Sequence, residues 1–248
     1  MPDRPNQYYV GEIRFTSRAI FHDIYGRIVE AVEEVTGLPD WVLQQGSQVI
    51  IHDGGPQGEL NTATRQVVVA QSRLAYVVVN PQSVNQFLND FKSISDKVYS
   101  LFNKNLDYQR VGARSVRYLP VSASFSELRR DFLSKYGKPE ITTLFPRAEF
   151  DDIGFSVDYN WGKAKLHTAC GPMMKEQAVN IHFQAFAQSP NIYAWSDAGI
   201  FFDMDFYQND DLPTKLTDIR VLFKKFFDEQ EEAAERIKSQ LGTETVAA

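Results

Sequence analysis

Residues Tyr8 to Phe15 set Tyr9, Gly11, Ile13 and Phe15 against Glu12 and Arg14, a period of two that predicts a strand. From Ile20 the period lengthens. Ile20, Ile24, Ile28, Ala31 and Val35 recur at helical spacing, and Gly37 with Pro39 ends that helix. Short extended runs follow at Gln48–His52, Arg65–Ser72 and Ala75–Val79, the first two joined by the turn-rich Asp53-Gly54-Gly55-Pro56-Gln57-Gly58. Asn80-Pro81 reads as the start of a second helix, whose Phe87, Phe91, Ile94, Val98 and Leu101 alternate in steps of four and three.

The second half repeats the order. Arg110 to Leu119 predicts a strand, and Ser124-Phe-Ser-Glu127 is a capping box that opens a helix ending at Gly137. Strands are expected at 153–161, 163–169, 178–186 and about 198–207, and then a long helix from near Asp211 towards Gly242. The expected fold is α+β: two half-repeats of strand, helix, three strands, helix, with antiparallel sheets and helices packed on one side. Architectures of the TATA-binding-protein type and of the helix-grip type both fit. The expected organisation is one unit of two half-domains, 8–107 and 108–242, with a disordered tail at 243–248.

The halves differ in polarity. Gln66-Val67-Val68-Val69-Ala70 and Tyr76-Val77-Val78-Val79 are apolar on both faces, so that sheet is expected to be covered on both sides. In the second half Ile153, Phe155, Val157, Tyr159 and Trp161 oppose Gly154, Ser156, Asp158 and Asn160. Likewise Ile200, Phe202, Met204 and Phe206 oppose Phe201, Asp203, Asp205 and Tyr207. One face there is core and the other polar and open.

Composition narrows the classes. The chain has 248 residues, 43% hydrophobic and 23% charged, with a net charge of −6. These are globular proportions, and the acidic balance argues against nucleic acid or an anionic membrane as partner. Cys170 is the single cysteine, so no intramolecular disulfide forms, and a thiol at a strand end with no base beside it is expected to be inert. MPDRPNQYYV lacks the apolar core of a signal peptide, and no 18-residue apolar run occurs, so the expected setting is the cytoplasm, with no membrane contact.

No intact catalytic motif is present. The glycine cluster at 54–58 precedes Glu59 rather than the Lys-Ser/Thr of a phosphate loop, and GxSxG, HExxH, CxxC and EF-hand patterns are absent. If 178–186 pairs with 163–169, His167 opposes Asn180 and Lys165 opposes His182, so both imidazoles share the polar face with Asp158, Asp203 and Asp205. Imidazoles and carboxylates together are the raw material of a metal site or an acid–base pair. Their spacing matches no metal-ligand pattern, which favours a solvated face, and no metal or cofactor is expected. Arg110 and Arg114, part of a basic cluster with Arg117, Arg65 and Arg73, share a face around Gly112. They suit an anion clamp or, by preference, pairing with strand acids such as Glu12 across the halves. In the last helix Leu216, Ile219, Phe223, Phe226 and Phe227 form an apolar stripe. Beyond it only Ala233, Ala234, Ile237 and Leu241 continue the line, so the outer part is expected to project or to meet another subunit, with Phe223, Phe226, Phe227 and Ile237 as its interaction residues.

Gly11-Glu12-Ile13-Arg14-Phe15, Arg110-Val111-Gly112-Ala113-Arg114, Phe202-Asp203-Met204-Asp205 and the terminal aromatic helix occur in that order. Together they resemble a sporadically distributed family of uncharacterised bacterial proteins of about this length. Two departures stand out: Asn6-Gln7-Tyr8-Tyr9 replaces a proline-containing lead-in, and Asp218-Ile219-Arg220 replaces a histidine early in the final helix. The family has no established activity, so the resemblance implies a fold and a bacterial setting. The function expected is a non-catalytic binding or assembly protein, with a protein partner, self-association or a small ligand on the open face or at the last helix. The alternative is a metal-assisted hydrolase using the Asp/His cluster.

Overall fold

The computed structural model describes residues 6–54, 63–102, 106–143, 151–183 and 195–241. The elements run β1 (Asn6–Phe15), α1 (Phe21–Thr36), β2 (Asp40–Gln44), β3 (Gln48–His52), β4 (Arg65–Ala70), β5 (Arg73–Val79), α2 (Val84–Leu101), β6 (Tyr108–Pro120), α3 (Phe125–Tyr136), a 3-10 turn (Pro139–Thr143), β7 (Phe155–Trp161), β8 (Ala164–Met174), α4 (Lys175–Ile181), β9 (Ala198–Gln208) and α5 (Leu216–Leu241). All nine strands form one open antiparallel sheet, ordered β2-β3-β4-β5-β1-β6-β9-β8-β7. The fold is α+β, with the four longer helices on one face. No helix among the described residues is long and apolar enough to cross a membrane.

Helical periodicity becomes packing on that face. Gly11 makes it possible: a Cβ there would lie 3.1 Å from the Phe223 ring and 3.3 Å from both Phe87 and Phe91. Without a side chain, β1 lets aromatic rings from α2 and α5 settle onto its backbone. Phe227 lies against Tyr9 with centroids 4.5 Å apart, and Phe226 stacks on Phe206 at 4.8 Å. Phe223, Phe226 and Phe227 are fully buried. Burying each phenyl contributes on the order of 1.5–3 kcal/mol.

Several expectations are corrected. The stretch 178–186 was expected as a strand, but Lys175 to Ile181 is helical, His182 and Phe183 close it, and 184–186 lie outside the described residues. Gly55 to Gly58 of the glycine turn and the tail also fall outside them, whereas Asp53 and Gly54 are described. An unexpected edge strand, β2, follows Pro39. The cap of α2 is Ser83, whose hydroxyl accepts from the Gln86 N–H, while Asn80 takes a positive φ and accepts from the Gln7 N–H. The capping box of Ser124 and Glu127 is present as expected.

The last helix does not offer its aromatic stripe to a partner. Its outer half is also tied down: Gln230 and Ala234 are buried, and Ile237 packs against the cluster around Phe132 and Phe202. Gln230 donates to the carbonyls of Ala113 and Met204 at 3.2 and 2.8 Å. Arg117, 2% exposed, forks onto the Glu231 carboxylate, which also accepts from the Tyr9 hydroxyl, while Arg117 Nε donates to Ser115 Oγ at 3.0 Å. A buried guanidinium is stable only with such a partner.

The face expected as core in β7 is partly open. Val157 and Tyr159 are 37% and 50% exposed and line a groove of about 670 Å³ between β7 and the outer half of α5, with Tyr136 of α3 also lining it.

Burial raises the Glu231 pKa, but the Arg117 pair outweighs it and leaves the carboxyl below its ordinary 4.5. A depressed acid contributes stability above the unfolded value and loses it as pH falls through the folded one. Glu231→Ala should therefore cost about 3 kcal/mol at neutral pH by urea unfolding, because it strands Arg117. Glu231→Gln should flatten the loss of stability below pH 4.5. An unchanged acid limb would contradict this pairing.

Candidate functional site

Strand alternation places a second set of side chains on the opposite face. β1 contributes Glu12 and Arg14, β5 Arg73, and β6 Arg110 and Arg114. β9 contributes Asp203 and Asp205, β8 Lys165 and His167, and β7 Ser156 and Asp158. Register makes them neighbours. Arg14 lies opposite both Arg73 and Arg110, Asp205 opposite both Arg114 and His167, and His167 opposite Asp158.

Ion pairs then knit the face together. Arg114 grips Asp203 with both arms of its fork, Nε at 2.7 Å and Nη2 at 2.5 Å. That bond to Asp203 raises the guanidinium pKa against the opposing effect of burial. Arg110 reaches Asp205 at 3.4 Å and lies over the Tyr207 ring, 4.3 Å from its centroid. Burial pushes the Asp205 carboxyl up, with Asp203 and Glu12 adding in the same direction against Arg110 and Arg114. Glu12 accepts from Arg14 at 2.7 Å and faces Arg73 at 3.8 Å. Between Arg110 and Arg114, Gly112 leaves bare backbone, with the Tyr207 Cβ 3.6 Å from where a Cβ would stand.

One corner of this face is covered by α4 together with Phe183 and Trp195. Ala178, Phe183 and Trp195 pack with Tyr8, Val116, Tyr118 and Phe201, and the rims of Val10, Val77 and Val79 join them. His182 stacks on Phe201 with centroids 3.9 Å apart. It borders a cavity of about 390 Å³ shared with Asp203, Gly171 and Ile153.

No protein-family model and no curated protein matches the chain.

The five Asp and His candidates do not converge. Asp203 and Asp205 face arginines, so guanidinium groups occupy the positions a metal would take. Asp158 and His167 pair with each other at 2.7 Å further along the sheet. His182 is not the strand neighbour of Lys165 but lies on the C-terminal end of α4. Among the described residues, no group of three or more His, Cys, Asp or Glu side chains is placed to hold a metal ion. Arg110 and Arg114 do pair with strand acids, but with Asp205 and Asp203 of their own half rather than with Glu12 across the halves. Arg117 points to the helix face, and Arg65 pairs with Asp53 at 3.2 Å. Cys170 is buried, and its burial raises the thiol pKa.

Two features escaped the sequence reading. Arg14 joins Arg73 and Arg110, already grouped as basic, in one row on the charged face, which only the pairing of β5, β1 and β6 reveals. Ser156 Oγ lies 3.4 Å from His167 Nε2, while His167 Nδ1 meets Asp158. The signal for that chain was period two, which puts Ser156 and Asp158 on one face.

Burial lowers the His182 pKa, and Asp203 opposes this only partly. In an NMR titration its imidazole should change charge below pH 6.5, and Phe201→Ala, which uncovers the ring, should move the midpoint back towards 6.5. A wild-type midpoint at or above 6.5 would contradict the stacked placement.

Proposed function

We propose that this protein is a non-catalytic binding protein whose open sheet face receives a ligand or a protein partner. One observation carries the reading. The Glu12-Ile13-Arg14, Arg110-Val111-Gly112-Ala113-Arg114 and Asp203-Met204-Asp205 stretches, distant in sequence, lie on the three neighbouring strands β1, β6 and β9, with their charged side chains on one face. The arginine ends of these pairs stay 26–49% exposed, and ion pairs open to water contribute little to stability, so a continuous set of them is a poor stabilising device and a good recognition surface. The burial of Phe223, Phe226 and Phe227 favours this face over the last helix as the site of contact. The same motifs support kinship with the bacterial family they resemble and a cytoplasmic setting. The mirrored strand orders outward from β1 and β6 support an internal duplication, as in TATA-binding-protein-like saddles. Nucleic acid remains disfavoured by the net charge of −6, although four arginines stand among the carboxylates of the face itself.

The reading is tested by photo-crosslinking in cells. A photoreactive residue at position 160 or 165 should give a discrete adduct, and one at position 27 or 30 on the exposed side of α1 should not. Equal adducts at all four positions, or none at 160 and 165, would overturn it.

One observation favours a second reading, acyl-ester hydrolysis at Ser156. The Ser156–His167–Asp158 chain has the connectivity by which imidazole takes the hydroxyl proton and a carboxylate orients the ring. Against it, the Asp158 side chain is 86% exposed, so water screens the group meant to stabilise the imidazolium. A fluorophosphonate probe decides: on this reading it labels the wild type and not Ser156→Ala, whereas the binding reading expects no difference.

A further inference from the structure

We propose that the row Arg73–Arg14–Arg110 is a receptor for the phosphate group of a monoester. The proposal rests on the open face being the binding surface and names the chemistry that this face takes. The three arginines stand directly opposite one another across β5, β1 and β6, on one face of adjacent antiparallel strands. Like charges in directly opposed positions destabilise a sheet, and an anion placed among them relieves the repulsion.

The carboxylates present do not fill that role. Arg114 and Asp203 satisfy each other through both arms of the fork. Of the remaining acids, Glu12 is largely covered, its side chain 16% exposed, and bonds Arg14 while standing 3.8 Å from Arg73. Asp205 meets Arg110 only at 3.4 Å, and its burial disfavours the ionised form. Three guanidinium groups thus face two carboxylates, a positive surplus in a chain whose net charge is −6.

The forks are also held ready. Arg73 Nη2 donates to Gln48 Oε1 at 3.1 Å, Arg14 Nε to Glu12, and Arg110 rests on the Tyr207 ring. Their side chains nevertheless remain 49% (Arg14), 35% (Arg73) and 26% (Arg110) exposed. Preorganised forks with accessible donors suit an oxyanion. A phosphate monoester dianion offers one oxygen to each of three forks and two charges against the surplus; a carboxylate offers two oxygens and one charge. A phosphodiester strand suits the face poorly, because Asp205, Asp203 and Asp158 line its continuation across β9 and β7.

Isothermal titration of the full chain at fixed ionic strength tests this with inorganic phosphate, phenyl phosphate, a capped phosphoserine peptide, acetate and a single-stranded oligonucleotide. Phosphate and at least one monoester should bind, and the stronger monoester tells a free small ester from a phosphorylated segment. Arg14→Gln and Arg73→Gln should each weaken binding at least tenfold, Arg73→Lys less, and Arg27→Gln not at all. Should a glutamine variant misfold, NMR shifts induced by phosphate in the wild type keep the test open: they should centre on Gln48, Arg14, Arg73 and Tyr207. Absence of phosphate binding, equal binding of acetate, tighter binding of the oligonucleotide, or shifts centred elsewhere would each overturn the proposal. If adducts at positions 160 and 165 persist without phosphate binding, only the phosphate assignment falls; if both are lost, the face itself is wrong.

Discussion

The ten residues of β1 lie against β6 from Asn6 opposite Tyr118 to Phe15 opposite Tyr108, and this seam decides what every other element meets. A strand alternates with a period of two, so a slip of one residue would carry Tyr9, Ile13 and Phe15 to the open face and Glu12 and Arg14 under the helices. The apolar cost of such a slip is large, since Ile13 and Phe15 are fully buried against α1, α2 and their neighbours. Register at the seam is therefore set by the core, and the charged face inherits it. Arg14 meets Arg110 because Ile13 meets Val111.

That inheritance explains how motifs far apart in sequence make one surface. Glu12 and Asp203 are separated by most of the chain, yet β6 alone lies between their strands. Arg114 and Asp203 bond across 89 positions because β6 and β9 share a register that also seals Phe206 and Ala113 into the core. The ion pairs fix side-chain directions on a scaffold already held by burial, which is the condition for forks to be presented in a defined geometry.

What was legible in the sequence follows the same division. Alternation in β7, β9 and the first part of β8 assigned faces correctly, and Asp203, Asp205, Asp158 and His167 do share the open one. The long helices were legible because their stripes run over several turns. α4 was not: seven residues make two turns, and Val179, Ile181 and Phe183 imitate a strand as well as a helix. β2 was hidden by its brevity and by its position directly after a helix stop. The partners of Arg110 and Arg114 were beyond reach for another reason. Which strand lies beside β6 is a tertiary fact, and local periodicity is silent on it. The same silence concealed the row of three arginines: Arg73 and Arg110 were grouped as a basic cluster without a geometry, and Arg14 was read only as a polar position of its strand.

Strand β6 shows most directly why these arginines have different uses. Arg114 and Arg117 are three positions apart and so point to opposite faces. Arg117 lies beneath α5, 2% exposed, and must be neutralised within the chain, which Glu231 accomplishes while Ser115 accepts from its Nε and Tyr9 donates to the carboxylate. Its pairing is a condition of folding and leaves nothing for a ligand. Arg14, Arg73 and Arg110 lie where water already solvates part of each side chain, so the fold tolerates a charge surplus there that it does not tolerate below the helices. A surplus that folding does not require, held in fixed directions by a core that does not depend on it, is where recognition of an anion costs the structure least.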